Sequence, residues 1–268
     1  MSDVQDPAMR PSLGIGSILS QSFSILFRRF LTFFVIALVV QLVVLLINRL
    51  FVPTAALMDP ETAAGAFTAV GTVVGTLLSL VASSVTTGII VLAAYDAWLG
   101  NPSRPGAYVG AALAAIVPLV LLSILVNVLF VLGLALLILP GLYIASMWSV
   151  VTPAVVAEGA GFGALGRSMQ LTKGYRWAII GLLIVMFAIV LGGSLLSSAV
   201  LGAVFGVNAF APAPEMIPTL VSLPYQLVNL LFGAVLVAFT GVLTAVLYAR
   251  LKEIKEGVGY EDLGAVFE

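Results

Sequence analysis

The chain has 268 residues, of which 62% are apolar and 9% charged. A soluble domain is roughly 45–50% apolar and about 25% charged, and a disordered chain is polar and charge-rich, so both classes are excluded. The 11 basic against 12 acidic residues leave a net charge of −1, no basic surplus for nucleic acid. The absence of His and Cys removes disulfides, thiolate chemistry, His-based triads and ordinary zinc sites.

A helix crosses the hydrocarbon core in about 20 apolar residues, and charge inside that core is costly, so charge-free intervals mark candidate spans. Arg29 and Arg49 enclose 19 such residues; the intervals 62–95, 105–157, 177–214 and 216–249 hold 34, 53, 38 and 34. The 53-residue interval accommodates a tight hairpin of two helices and the others hold one each, which gives six spans. With a cytoplasmic N-terminus, six spans leave Arg10, Arg28, Arg29, Arg104, Arg167, Lys173, Arg176, Arg250, Lys252 and Lys255 inside and Arg49 alone outside. That is the basic excess expected of cytoplasmic loops; five spans would put seven basic residues outside.

The chain therefore reads as a single all-α integral membrane domain over 1–268, both termini cytoplasmic. The expected spans are 31–52, 68–95, 107–128, 131–152, 178–205 and 220–249, with a cytoplasmic tail over 250–268. Before the first span, Ile15, Ile18, Leu19, Ser22, Ile25 and Leu26 follow the helical period, so 12–28 is expected to form an amphipathic helix lying in the interface rather than a signal peptide. In the second span Gly71, Gly75, Ser79, Ser83 and Thr87 recur every four residues, a helix-packing face that lets a neighbour approach closely. That neighbour is another helix of this chain or, on a sharper reading, a second copy.

Asp59 and Glu61 form a short acidic turn in the first outer loop. The turn between the third and fourth spans is expected near Asn127–Gly133. The run Ile138-Leu139-Pro140-Gly141 is expected to kink or break the fourth span at Pro140 and Gly141, because Pro lacks a backbone donor and clashes with the preceding turn. The string Glu158-Gly159-Ala160-Gly161-Phe162-Gly163 lacks a phosphate-loop Lys and reads as a joint. A second interfacial helix is expected over 162–173, with Phe162, Leu165 and Met169 on the apolar side and Arg167, Gln170 and Lys173 on the wet side.

Arg29-Phe30 and Arg176-Trp177 enter spans alike, and Thr87-Gly88 leading to Tyr95 resembles Thr240-Gly241 leading to Tyr248. The correspondence reads either as a parallel repeat of interfacial helix, span, span with the hairpin inserted between copies, or as two entries obeying the same interface rules. No metal cluster and no cofactor motif is present. Asp96 sits at a span end near Arg104. Gln41, Asn48, Asn127, Gln226 and Asn229 either hydrogen-bond between helices or line a solute path. Arg104, Arg167, Lys173 and Arg176 are candidates for contact with anionic lipid in the cytoplasmic leaflet, the alternative being that they only set topology.

Pro140-Gly141-Leu142-Tyr143, Trp148, Pro153, Glu158, Ala164-Leu165-Gly166-Arg167-Ser168, Leu171-Thr172-Lys173-Gly174 and the ending Tyr248-Ala249-Arg250-Leu251-Lys252 with Lys255-Glu256-Gly257 form a pattern. It resembles a family of multi-pass bacterial inner-membrane proteins often labelled glycerophosphoryl diester phosphodiesterase membrane domain. The resemblance implies the bacterial cytoplasmic (inner) membrane and the membrane part alone. The soluble phosphodiesterase uses a His pair, which this chain lacks. The expected function is non-enzymatic organisation of lipids or partner proteins in the bilayer, the partners being membrane lipids, a membrane protein or a second copy. The alternative is a transporter, channel or lipid-translocating protein with a polar path between spans.

Overall fold

The computed structural model describes residues 13–51, 66–206, 218–220 and 222–257. Arg10, the first outer loop with Asp59 and Glu61, Glu215 and the tail after 257 lie outside the described residues. Within them the chain is helical and contains no strand. Six of its helical segments are long and apolar enough to cross a membrane: Phe30–Leu50, Val70–Trp98, Ile116–Leu136, Ile138–Glu158, Arg176–Phe205 and Leu223–Glu256. Helices suit that solvent because each backbone group is satisfied within its own segment.

Helix α1 (Ile15–Arg28) buries Ile18, Ser22, Ile25 and Leu26, the stripe read from the sequence. Its partner is protein rather than lipid: α1 packs chiefly on the last helix, and Phe23 stacks on Phe239 there with ring centroids 5.0 Å apart. The chain turns at Arg29 into α2 (Phe30–Phe51), and α3 (Ala66–Trp98) returns beside it. The short α4 (Pro105–Ala114) buries only Tyr108 and Ala112 and breaks at Ala115 before α5 (Ile116–Leu136). The third span therefore starts about nine residues later than the expected 107, because Pro105–Ala114 forms a helix of its own.

Helices α5 and α6 (Ile138–Met147) form a hairpin whose turn is the single extended residue Leu137, not the Asn127–Gly133 stretch. Gly133 and Gly141 make it possible. A Cβ on Gly133 would stand 2.8 Å from the Gly141 Cα, and one on Gly141 would stand 2.8 Å from the Leu134 backbone nitrogen. Leu136, Leu137, Ile138 and Leu139 are all exposed at the tip.

The expected fourth span, 131–152, is broken at Leu137, directly before the Ile138–Gly141 run, rather than kinked at Pro140 itself. Pro140 falls in the first turn of α6, where the missing N–H would have had no intrahelical partner. A second break follows at Trp148–Val150, before α7 (Val151–Glu158). Helix α8 (Ala164–Thr172) follows a single 3₁₀ turn at Gly161–Gly163 and repairs that break. Ser168 Oγ donates to the Met147 carbonyl at 2.9 Å, and Thr172 Oγ1 reaches the same carbonyl at 3.2 Å while lying 2.9 Å from the Ser168 carbonyl, its nearer acceptor. The inward face of α8 is thus Ala164, Ser168, Leu171 and Thr172, while Phe162 and Met169 stay exposed.

Helices α9 (Arg176–Phe205) and α10 (Leu223–Glu256) complete the bundle. Helix α10 is its axis: 56% of its most apolar window is buried, against 11% for α2 and 17% for α5 and α9. Ala234, Ala238, Gly241 and Ala245 supply the small face that allows this. A Cβ on Gly241 would lie 2.5 Å from Ile90 Cγ2 of α3.

Candidate functional site

Among the described residues, most charged side chains gather at one end of the bundle. Arg29 donates from Nη1 to Ser103 Oγ at 3.2 Å and from Nη2 to the Asn101 carbonyl, tying the α1–α2 corner to the α3–α4 loop. Glu158, at the end of α7, meets Tyr248 and Lys252 near the end of α10. At the opposite end Arg49 donates from Nε to Gln226 Oε1 at 3.1 Å.

Glu158 organises that charged end. Its carboxylate accepts Arg167 Nε at 2.6 Å and Nη2 at 2.7 Å, accepts the Tyr248 hydroxyl at 2.5 Å, and lies 3.4 Å from Lys252 Nζ. The next residue, Gly159, ends α7 with φ 63°, a conformation that favours glycine. Arg167 also pairs with Glu256 of α10. The hydrogen-bonded Glu158 carboxylate, and then Glu256, hold the Arg167 guanidinium above its ordinary range, against the opposing effect of burial. Two carboxylates, an arginine and a lysine thus close a neutral network joining α7, α8 and α10. The sequence reading does not join these residues: Arg167 is there a topology marker and a candidate lipid contact, and Lys252 a topology marker. All of its members, Glu158, Arg167, Tyr248, Lys252 and Glu256, stand in the pattern that carries the family resemblance, and the Tyr95–Tyr248 correspondence points to the same place, the two rings lying 6.1 Å apart.

The four basic residues proposed to contact anionic lipid do not converge. Arg167 is committed to Glu158 and Glu256. Arg176 donates to the Tyr143 hydroxyl and lies 5.0 Å from the centroid of that ring. Lys173 is exposed, and Arg104 lines a different feature. The stripe on α3 is likewise not one closed seam. Gly75 is buried and Ser79 Oγ accepts Asn48 Nδ2 of α2 at 3.0 Å, but Ser83 is exposed, while Gly71 and Thr87 are half-buried.

Two cavities flank α3. A cleft of about 220 Å³ lies between α3, α4 and α7, walled by Leu92, Ala111 and Val156, with Tyr95, Asp96, Arg104 and Tyr108 supplying its polar groups. Asp96 Oδ2 accepts the Tyr108 hydroxyl at 2.7 Å, and Asp96 Oδ1 accepts Asn101 Nδ2 at 3.3 Å. The Tyr108 oxygen in turn accepts the Arg104 backbone N–H at 2.9 Å. Burial, and then the bond to Asp96, push the Tyr108 phenol above its usual pKa, so it remains a donor. A second cavity of about 360 Å³ lies halfway along α2 and α3 and touches α10. It is lined by Gln41, Thr76, Ser79, Ser83, Thr86 and Thr87 among apolar neighbours. All five hydroxyls donate along their own helix, for example Thr86 to the Ala82 carbonyl at 2.7 Å.

The described residues contain no group of three or more acidic side chains fit to hold a metal ion. Among known proteins, no family model, no curated protein and no solved structure matches this chain.

Proposed function

We propose that this is a non-enzymatic multi-pass protein of the bacterial inner membrane, both termini cytoplasmic, that organises lipids in the bilayer. The observation that carries the reading is the cleft between α3, α4 and α7, which joins apolar walls to a charged mouth at the end of a span. That combination suits an amphiphile whose head is polar and whose tail is not. The neutral network around Glu158 supports the same reading, since its charges are spent on joining helices. So does the resemblance of 140–174 and 248–257 to a membrane domain lacking its catalyst. The test is to count phospholipids retained through purification in mild detergent. Ala107→Trp, which fills the cleft, should remove one lipid per chain; an unchanged count refutes the reading.

A second reading, lipid or solute translocation, is favoured by the mid-span cavity between α2 and α3. Hydroxyl oxygens and the Gln41 amide at that depth would ease passage of a polar group through hydrocarbon. The experiment is flip-flop of a fluorescent phospholipid in proteoliposomes. Acceleration over protein-free vesicles that is lost in Ser83→Leu supports translocation, and a rate equal to that of empty vesicles excludes it for that lipid.

A further inference from the structure

The cleft between α3, α4 and α7 carries an unequal pair of charges. Asp96 is held inside, its side chain 14% exposed; Arg104 stands at the mouth, 57% exposed, with Nη2 3.7 Å from Asp96 Oδ2. At that separation the guanidinium makes no hydrogen bond to the carboxylate, so its N–H groups remain available. Each Asp96 oxygen accepts one hydrogen bond, from Tyr108 or Asn101, and retains a lone pair. A ligand entering here meets a fixed anion and, beside it, an outward-facing cation. A simple anion would be opposed by Asp96 and a simple cation by Arg104. A group bearing an ammonium and a phosphate a few ångströms apart satisfies both.

Size and depth narrow the choice. At about 220 Å³ the cleft is smaller than the roughly 300–1,000 Å³ of sites that enclose a whole drug-sized ligand, so it takes a headgroup and leaves the tails outside. Asp96 lies two residues before the end of α3 and Arg104 caps α4, where span ends meet the headgroup layer. Helix α4, which forms one wall, turns Val109 and Leu113 outward, and Val117 continues that exposed apolar surface on α5. An acyl chain could lie along it.

We propose that this cleft binds the headgroup of an amine-bearing phospholipid of the phosphatidylethanolamine type, its ammonium on Asp96 and its phosphate on Arg104. The proposal rests on the lipid-organising reading and names the lipid class. A primary ammonium donates hydrogen bonds to the carboxylate, a trimethylated one does not, and a glycerol headgroup offers Asp96 no charge.

The test reconstitutes the full chain in nanodiscs containing equal parts of phosphatidylethanolamine, phosphatidylcholine and phosphatidylglycerol, then identifies the retained lipid by native mass spectrometry. Wild type should retain phosphatidylethanolamine over each of the others by about tenfold, the scale of one charged hydrogen bond. Asp96→Asn, which keeps an acceptor for Tyr108, should abolish that preference. Arg104→Gln should lower retention of all three lipids. Equal retention of the ethanolamine and choline lipids by wild type overturns the proposal while leaving lipid binding intact. Lipid counts that are the same in wild type and Ala107→Trp overturn the underlying reading instead. Free phosphoethanolamine that displaces the lipid at equal concentration, followed by titration calorimetry, would show a soluble zwitterion as the ligand and overturn the lipid source.

Discussion

The Arg167 guanidinium engages the Glu158 carboxylate through two hydrogen bonds, at 2.6 Å from Nε and 2.7 Å from Nη2. This planar, two-point contact joins the end of α7 to the middle of α8, and the further bond to Glu256 extends it to α10. A single ammonium cannot reproduce that geometry. Arg167→Met leaves Glu158, 16% exposed, with its two charged bonds gone. The expected loss is about 1.5–3 kcal/mol per charged hydrogen bond before relaxation. Arg167→Lys should lose less. Thermal unfolding in detergent orders the three proteins; equal melting temperatures for wild type and Arg167→Met would show the network contributes nothing.

Ser168 and Thr172 share one acceptor, the Met147 carbonyl released where the fourth span breaks. Ser168 satisfies it directly, and Thr172 can replace it by turning its one proton from the Ser168 carbonyl, 2.9 Å away. Ser168→Ala and Thr172→Ala should each cost about 0.5–1.5 kcal/mol, and the double variant more than their sum, because an unpaired buried carbonyl costs about 1–3 kcal/mol. A double-mutant cycle in chemical unfolding measures the coupling, and strict additivity would exclude the shared role.

The hairpin depends on two glycines meeting backbone to backbone. Gly133→Ala and Gly141→Ala should each be destabilising, by about 1–3 kcal/mol as for other overpacked sites. Gly110→Ala is the control: a Cβ there meets nothing within 4 Å, and alanine is the better helix former. If all three substitutions behaved alike, the close approach at Leu137 would be without energetic weight.

Gly241 is the corresponding contact at the bundle axis. Gly241→Val forces a side chain into Ile90 and should separate α10 from α3, with a clear loss of stability. Ile90→Ala in the same chain should recover part of that loss. Stability measured in the single and double variants decides it, and no recovery would mean that Ile90 is not what the valine meets.

Orientation is testable independently of stability. Reporter fusions at Glu61 and Glu215 should report the outside, and fusions at Arg104 and Ser168 the cytoplasm, given the segregation of Arg49 from the other basic residues. A cytoplasmic signal at Glu215 contradicts a six-span path.

The six apolar helices and the buried stripe of α1 were legible because each depends on local composition or on one period. Ile18, Ser22, Ile25 and Leu26 fall on one face whatever covers it. What covers it was not legible, because lipid and α10 present similar apolar surfaces. Pro140 marked the interruption but not its form: proline is tolerated in the first turn of a helix, so whether it kinks a span or follows a turn, as it does after Leu137, is a tertiary fact. The Glu158 network combines residues far apart in the chain, so no spacing announces it. The α3 stripe illustrates a different limit, since small residues permit close packing and equally permit the cavity that Ser79, Ser83 and Thr87 line.

The bare tip of the α5–α6 hairpin bears on how the protein is made. No charged residue lies between Arg104 and Glu158, and the exposed turn is Leu136 through Leu139. Insertion of this hairpin carries no charge across the bilayer, and both of its flanking charges remain on the side they started from.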